Sequence, residues 1–568
     1  MKKNLLCFLF IFAFSFCFAQ NNLKIYPIDS EVYKYLCTLY VREGRSLPFS
    51  QGPWSGDELK KMLETFPEHF DDEVTQNLYN KIYSILNEKS RFSTKDNFNF
   101  NLAGIFNPEL YFHTNPTDFN KESDWNYGYT KRSEVLALES EVWISDAFYA
   151  YLDLGLSYAA NIYSQYDADE ADPLYSKYFF YNLIEPSSFS FLSPNLPRRS
   201  ILSFGGEHWS ASFGRDVIRW GNGESGNLLI GGNSLYDSHL RFSAYYNSFK
   251  YSVATIFYPH NSVVQNATEQ NVPISGTRFF MAHRLDFRFF DDKMTLGLAE
   301  GLMYQNKSGF TDFTVMNPQI ILHNLYIRGN ANSIMSIDFD YSFMRNFNFY
   351  SQILIDDFAV LGEPTSSSES GWRPNKTGFL LGLKYFPPVK NGILKLSLEG
   401  VYADPYLYLR EKYNDEDGTN GVSFYGHIKE FSGYSNQEIY YIRTPIGYKY
   451  GGDCITGNLR ASYDSLEKWS AAVEFFYMAH GIIYEDMDGD DWIYGSQTFA
   501  PSTVDLFGSG KSGPAEHTFR LSLCGDYEFN THITLYCGND NFMIINKDNV
   551  ERSPVFDFQF YTGVNIKF

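Results

Sequence analysis

Over residues 555–568 apolar and polar side chains take turns along the chain. Phe556, Phe558, Phe560, Val564, Ile566 and Phe568 share one parity, and Asp557, Gln559, Tyr561, Asn565 and Lys567 share the other. Successive side chains of a strand point to opposite faces, so this stretch is a strand with one greasy face and one wet face. The same period recurs upstream. Leu285, Phe287 and Phe289 alternate with Arg284, Asp286 and Arg288, and Ile337, Phe339, Tyr341 and Phe343 alternate with Asp338, Asp340 and Ser342. Leu394, Leu396 and Leu398 alternate with Lys395, Ser397 and Glu399, and Leu459, Ala461 and Tyr463 with Arg460, Ser462 and Asp464. A soluble antiparallel sandwich can alternate in this way, but seldom with three phenylalanines in succession on one face. A membrane barrel requires the pattern, because lipid touches one face and a polar lumen the other. The expected fold class for residues 96–568 is therefore an all-β transmembrane antiparallel β-barrel.

Charge sharpens the assignment of faces. An Arg or Lys on the lipid side near the midplane costs about 2–4 kcal/mol. Parity thus sends Arg284, Asp286, Arg288, Asp338, Asp340, Glu399 and Arg460 to the lumen, together with Asp356. Both signs are present, which predicts ion pairs across a filled interior and not a wide channel of one sign. For any one of these residues, bracing the wall and contacting a ligand remain alternatives.

Ahead of the strands, residues 20–95 follow a helical period. Val32, Tyr35, Leu36 and Leu39 lie on one stripe, with Gly44 as a stop. Ser55 and Glu58 have capping-box spacing, Trp54 stands before them, and Leu59, Met62, Leu63 and Phe66 follow up to Pro67. Val74, Leu78, Ile82 and Ile85 make a third stripe. Three short helices bury little by themselves, so they are expected to pack on the periplasmic mouth of the barrel. Residues 1–19 read as a signal peptide: Lys2 and Lys3, an apolar run from Leu5 to Phe18, and Ala19 before the cut. A lipid anchor on Cys17 is disfavoured by the bulky Phe16 before it. No later apolar run approaches the roughly 18 residues of a membrane helix.

Composition agrees with a barrel. Apolar residues make up 44% of the chain and aromatic ones 18%, yet the mean hydropathy is −0.31, so apolar and polar positions are interleaved. Barrels place aromatic residues in girdles at both membrane interfaces. The net charge of −21, without a basic stripe, argues against nucleic acid as a partner. Residues 167–173, 363–374, 414–420 and 486–491 are polar and often acidic, and read as extracellular loops. Phe568, an aromatic C-terminus on an alternating strand, resembles the insertion signal of outer-membrane barrels. Outer-membrane lipid and the barrel-assembly machinery are therefore expected partners.

Enzyme chemistry finds no support. HExxH, GxSxG and Cys–His metal spacings are missing, so no catalytic residue, metal or cofactor is expected. The run Asp486-Met-Asp-Gly-Asp-Asp491 has its glycine at the fourth position, where a calcium loop needs it at the sixth. Cys7 and Cys17 leave with the signal. Cys524 shares parity with Arg520 and Ser522, whereas Cys537 shares it with Ile533 and Leu535, which argues against a bridge between them.

Sugar-binding chemistry is concentrated in Ser212-Phe-Gly-Arg-Asp-Val-Ile-Arg-Trp-Gly-Asn-Gly223. Trp220 offers a flat apolar face to a pyranose, and Arg215, Asp216 and Arg219 offer donors and acceptors for hydroxyls or an acidic sugar. Alternatively, Trp220 belongs to an interface girdle and Arg215 pairs with a lumen acid such as Asp356. Two further stretches stand out. One is Asn317-Pro318 with Arg328, Asn330 and Asn332, leading to Tyr350-Ser-Gln-Ile-Leu-Ile-Asp-Asp-Phe358. The other is Arg443-Thr-Pro-Ile-Gly-Tyr-Lys-Tyr-Gly-Gly-Asp453.

In this order, after a helical N-terminal region, the three stretches resemble the Wzi-type capsule-assembly family of outer-membrane proteins. The resemblance spans nearly the whole mature chain. It departs at Ser351, where the family tends to carry Gly before the Gln, and at Asn222, where it carries Pro. The resemblance implies an eighteen-stranded barrel with helices at its periplasmic end. It implies a surface lectin in the bacterial outer membrane that attaches capsular polysaccharide to the cell, not the export channel. The alternatives are a porin or substrate channel, and a structural surface protein without a ligand.

Overall fold

A computed structural model describes residues 22–94, 98–128, 131–145, 147–158, 175–183, 192–194, 197–233, 237–258, 276–306, 314–323, 331–357, 376–405, 407–408, 422–432, 438–481 and 514–568. Eighteen antiparallel strands close into one barrel. The first strand is bent, Phe98–Phe106 and then Glu109–His113, and it meets the last, Val555–Lys567, to close the ring. Tyr561 stands opposite Tyr111, and the Phe568 N–H donates to the Gly104 carbonyl at 2.9 Å. Inside the seam Asp557 accepts from the N–H groups of Thr114 at 2.9 Å and Asn115 at 2.8 Å.

The alternation read from the sequence becomes two faces. Leu298, Leu381, Leu398, Leu459, Leu523 and Phe556 stay exposed on the outer wall, while Asp286, Asp338, Asp340, Glu399 and Gln559 are buried. A band of exposed leucine and phenylalanine would be a liability in water, and it is what a lipid-facing wall requires. Among the described residues no helix is long and apolar enough to cross a membrane.

Three helices precede the wall: α1 Glu31–Arg42, α2 Gly56–Glu64 and α3 Glu73–Leu86. Gly44 follows α1 at φ +73°, a conformation that favours glycine. The Ser55 hydroxyl caps α2 by accepting the Glu58 N–H at 3.3 Å, and Asp72 caps α3 by accepting the Thr75 N–H at 2.8 Å. Burial pushes the Asp72 carboxyl up, but its bonds to Thr75 and Arg42 outweigh this and hold it below the usual range. Helices this short are marginal alone in water. They are stabilised by one shared core, in which Leu36, Leu39, Leu59, Leu63, Leu78 and Ile82 pack with Phe386 and Ile393 of the barrel.

The helices sit at the end of the barrel where the connections are short, such as 207–208, 247–248, 290–293 and 345–346. There the Asn346 N–H donates to the Val41 carbonyl at 2.8 Å, and Lys81 Nζ donates to the Leu466 carbonyl at 3.2 Å. The N-terminal region also enters the barrel. Lys24 pairs with Glu141 at 2.9 Å, and Leu47 N–H donates to Asp340 Oδ1 at 2.8 Å. The signal stretch 1–19, the four acidic stretches and residues Arg328, Asn330 and Phe358 lie outside the described residues.

Cys524 stands opposite Gly538 and Gly525 opposite Cys537, so the two thiols fall on different faces, and both are free. A closed barrel carries a direct signature. Unheated protein is expected to migrate differently from boiled protein on a detergent gel, and the protein is expected in the membrane fraction. Identical mobility together with recovery as soluble protein would contradict the fold.

Candidate functional site

The strand Trp209–Asp216 ends where Asp216 turns the chain inward. Asp216 Oδ1 accepts the Val217 N–H at 2.8 Å, and its other oxygen pairs with Arg199 at 3.1 Å. From there residues 217–233 leave the wall and cross the lumen. Arg219–Trp220 pairs with Gln51–Gly52 of the N-terminal region, and the Trp220 N–H donates to the Ile230 carbonyl at 3.1 Å. The segment folds back on itself and forms a plug.

Wall residues lock the plug through its backbone. Glu399 accepts from the N–H groups of Glu224 at 2.7 Å and Ser225 at 2.8 Å, and from the Tyr350 hydroxyl at 2.8 Å. Gln352 Oε1 accepts the Leu228 N–H at 2.9 Å, while its Nε2 donates to Asn227 Oδ1 at 2.9 Å. Asn222 donates to Asp340 at 3.0 Å. Glu224 lies 3.0 Å from Lys384 and 2.7 Å from Lys395. Burial pushes the Glu224 carboxyl up, but the two lysines outweigh it and hold it well below the usual range.

The third stretch completes the plug from the other side. The Gly231 N–H donates to the Ile446 carbonyl at 2.8 Å, and Tyr408 Oη donates to the Leu228 carbonyl at 2.6 Å. A methyl group on Gly447 would sit 2.0 Å from the Leu228 carbonyl oxygen, so only glycine allows this backbone approach. Gly221 is favoured for a different reason, its φ of +127°, and it also makes room for the side-chain amides of Gln352 and Asn227. The stretch ends at Asp453, whose burial pushes its carboxyl up to about 7.

The four residues expected at a sugar site are dispersed. Trp220 is 2% exposed and packs with Leu228, Leu229 and Ile230, so neither ring face is open. Asp216 is buried against Arg199. Arg219 borders a cavity and donates to the Ile28 carbonyl at 3.1 Å. Arg215 shares the parity of Trp209 and Phe213, which are exposed on the outer wall. Several charged positions assigned to the lumen are paired. Arg284 is bonded to both Asp286 and Asp338, and Arg288 pairs with Asp292 at 3.2 Å. Asp356 is buried, and the half-exposed Arg460 pairs with Glu474 at 3.2 Å.

Several residues of the site were not singled out from the sequence. Lys250 and Arg241 reach inward to Glu58 of α2. Lys250 is the one charged position in the strand Phe249–Tyr258, and that lone charge on the inward parity was the available signal. Between the plug and the helices lies a cavity of about 590 Å³, bordered by Arg219, Glu224, Lys384, Lys395, Arg460 and Asp464.

These features define an outer-membrane-type β-barrel with an occupied lumen. Among solved structures the chain is similar to Wzi of Escherichia coli, an outer membrane protein involved in group 1 capsule assembly and a carbohydrate-binding β-barrel. The two share 14% identity over 96% of this chain and 99% of that one, with a TM-score of 0.56, a likeness of fold. Weaker likenesses are to the outer membrane channel DcaP of Acinetobacter baumannii, at 9% identity over 84% of this chain and 100% of that one with a TM-score of 0.33. OccK10 of Pseudomonas aeruginosa is similar at 9% identity over 82% and 99%, with a TM-score of 0.36. No family model matches the sequence, and no curated protein sequence does.

Proposed function

We propose that this protein is a Wzi-like lectin of the bacterial outer membrane, which retains a surface polysaccharide on the cell and does not conduct it. The supporting observation is the plug. Asn222 of the first stretch, Gln352 of the second and Ile446 of the third lie far apart in sequence, and with Asp340 and residues 223–231 they meet in one hydrogen-bonded assembly across the lumen. A lumen filled by its own backbone suits a holding protein better than a pore. In this reading the helices face the periplasm, the long connections face outward, and Phe568 serves insertion by the barrel-assembly machinery. The polysaccharide meets the outward side, and Asp216, Arg219 and Trp220 shape the plug beneath it, with Arg215 on the wall beside them.

Deletion of the gene separates holding from export. Total surface polysaccharide is expected to stay constant while most of it moves from the cell pellet to the medium. The refolded mature protein is expected to bind that polysaccharide on a glycan array. Loss of synthesis or export, or a pellet fraction that does not change, would count against the reading.

A further inference from the structure

A second cluster lies on the outside of the wall and has no part in the plug. The strands Thr277–Phe289 and Met294–Asn306 form a hairpin in which His283 stands opposite Glu300. Both residues share the outward parity of Leu285 and Leu298, where lipid-facing side chains belong. They are nevertheless buried, because residues 314–323 fold back over this part of the wall. Val315 of that strap packs on Phe279, Met281, Leu302 and Tyr304, and Tyr251 Oη donates to the Pro318 carbonyl at 2.9 Å.

The strap brings a second imidazole to the carboxylate. His323 Nδ1 is 3.1 Å from Glu300 Oε2, and His283 Nε2 is 3.2 Å from the same oxygen. The N–H groups of Leu322, at 3.0 Å, and His323, at 2.7 Å, also donate to Glu300 and fix its orientation. The three ligand atoms lie within 4.8 Å of one another. A tetrahedral zinc with bonds of about 2.0–2.1 Å has ligand–ligand edges of about 3.4 Å. The two nitrogen–oxygen separations are close to that edge and the third lies within 4.8 Å, so rotations of the side chains suffice to admit an ion.

We propose that His283, Glu300 and His323 bind a zinc-class divalent cation that fastens the strap to the outer wall. Two imidazoles and a carboxylate form a nitrogen and oxygen set that suits zinc, and a fourth position remains for water. The ion joins three separate pieces of chain, two from neighbouring strands and one from the connection after them. The inference does not depend on the glycan reading.

The test uses the mature protein folded in detergent and stripped with a chelator. Titration with Zn²⁺ against a chromophoric chelator is expected to show one equivalent bound tightly. Co²⁺ is expected to give the visible absorption of a tetrahedral site, and Zn²⁺ is expected to slow proteolysis within 314–323. His323→Ala lies on the strap, outside the wall, so the barrel closes without it, and gel mobility before and after heating confirms this. That variant is expected to lose about tenfold or more in affinity, as is His283→Ala. If the wild type binds no Zn²⁺ or Co²⁺, or if the two variants bind as the wild type does, the cluster is a hydrogen-bonded clamp and the proposal fails.

Discussion

Glu58→Ala is expected to release the N-terminal helices from the barrel. The Glu58 carboxylate is bonded to Lys250 Nζ and lies 3.5 Å from Arg241 Nη2. All three side chains are buried. Lys250 keeps one bond, to the Gln51 carbonyl at 2.9 Å, and Arg241 keeps one to Ser210 Oγ at 3.3 Å. Removing the acid thus leaves two buried cations without a counter-charge. Breaking a buried pair by deleting one partner costs about 3–5 kcal/mol. The α2 cap is not the cause, because Ser55 Oγ still accepts the N–H of residue 58. Limited proteolysis reads the outcome: the region before residue 95 becomes sensitive while the wall resists. Glu58→Gln is expected to cost less, since an amide oxygen still accepts a bond. Joining Glu58→Leu with Lys250→Met is expected to recover part of the loss, because only Arg241 is then left as a buried cation without its partner. Unaltered resistance in Glu58→Ala would show that the helices dock through their apolar core alone.

Glu58 also shows how far the sequence can be read. Its spacing from Ser55 predicted a cap, and the local bond forms at 3.3 Å. The carboxylate itself turns away to a lysine 192 positions later, a pairing that no local pattern encodes. The wall was legible because a period of two is plain in stretches such as Leu285–Phe289, Ile337–Phe343 and Phe556–Phe560, and burial punishes a slip of one residue. The helices were legible from the longer period and their stops, as at Gly44. The plug was not. Residues 217–233 are rich in Gly and Asn, and nothing local says that they turn inward. Trp220 had the right chemistry for stacking on a sugar, yet its burial depends on Leu228, Ile230 and Gln51 arriving around it. Parity placed Glu399 in the lumen and could not say that it would hold Ser225. The resemblance grouped the three stretches in order, and the hydrogen bonds join Asn222, Gln352 and Ile446 from them, while Asn317 and Pro318 lie on the outer wall.

Glu399→Ala is expected to unlock the plug and turn a quiet barrel into a conducting one. In the wild type the lumen is occupied, so planar bilayers are expected to show little steady current. Glu399 holds the plug at its middle by accepting from Glu224 N–H, Ser225 N–H, Ser225 Oγ and Tyr350 Oη. Alanine leaves the two N–H groups and the Tyr350 hydroxyl without this acceptor, at about 1–3 kcal/mol for each that water does not reach, while Ser225 Oγ keeps its bond with Tyr448 Oη. The pairs of Glu224 with Lys384 and Lys395 and the bonds of Gln352 remain, so the first outcome is intermittent opening. Adding Gln352→Ala removes the grip on Leu228 and Asn227 and is expected to lengthen the open times. Trp220→Ala attacks the same plug through its core, where truncating a buried Trp costs about 3–5 kcal/mol. Two separate routes to one phenotype, through the wall's polar side chains and through the plug's own core, make the test strict, because they share the plug and little else. Porin-sized steps in the wild type would favour the channel reading. A silent Glu399→Ala,Gln352→Ala protein that still closes as a barrel would mean that the apolar layer around Leu228 seals the lumen without help from the wall's polar side chains.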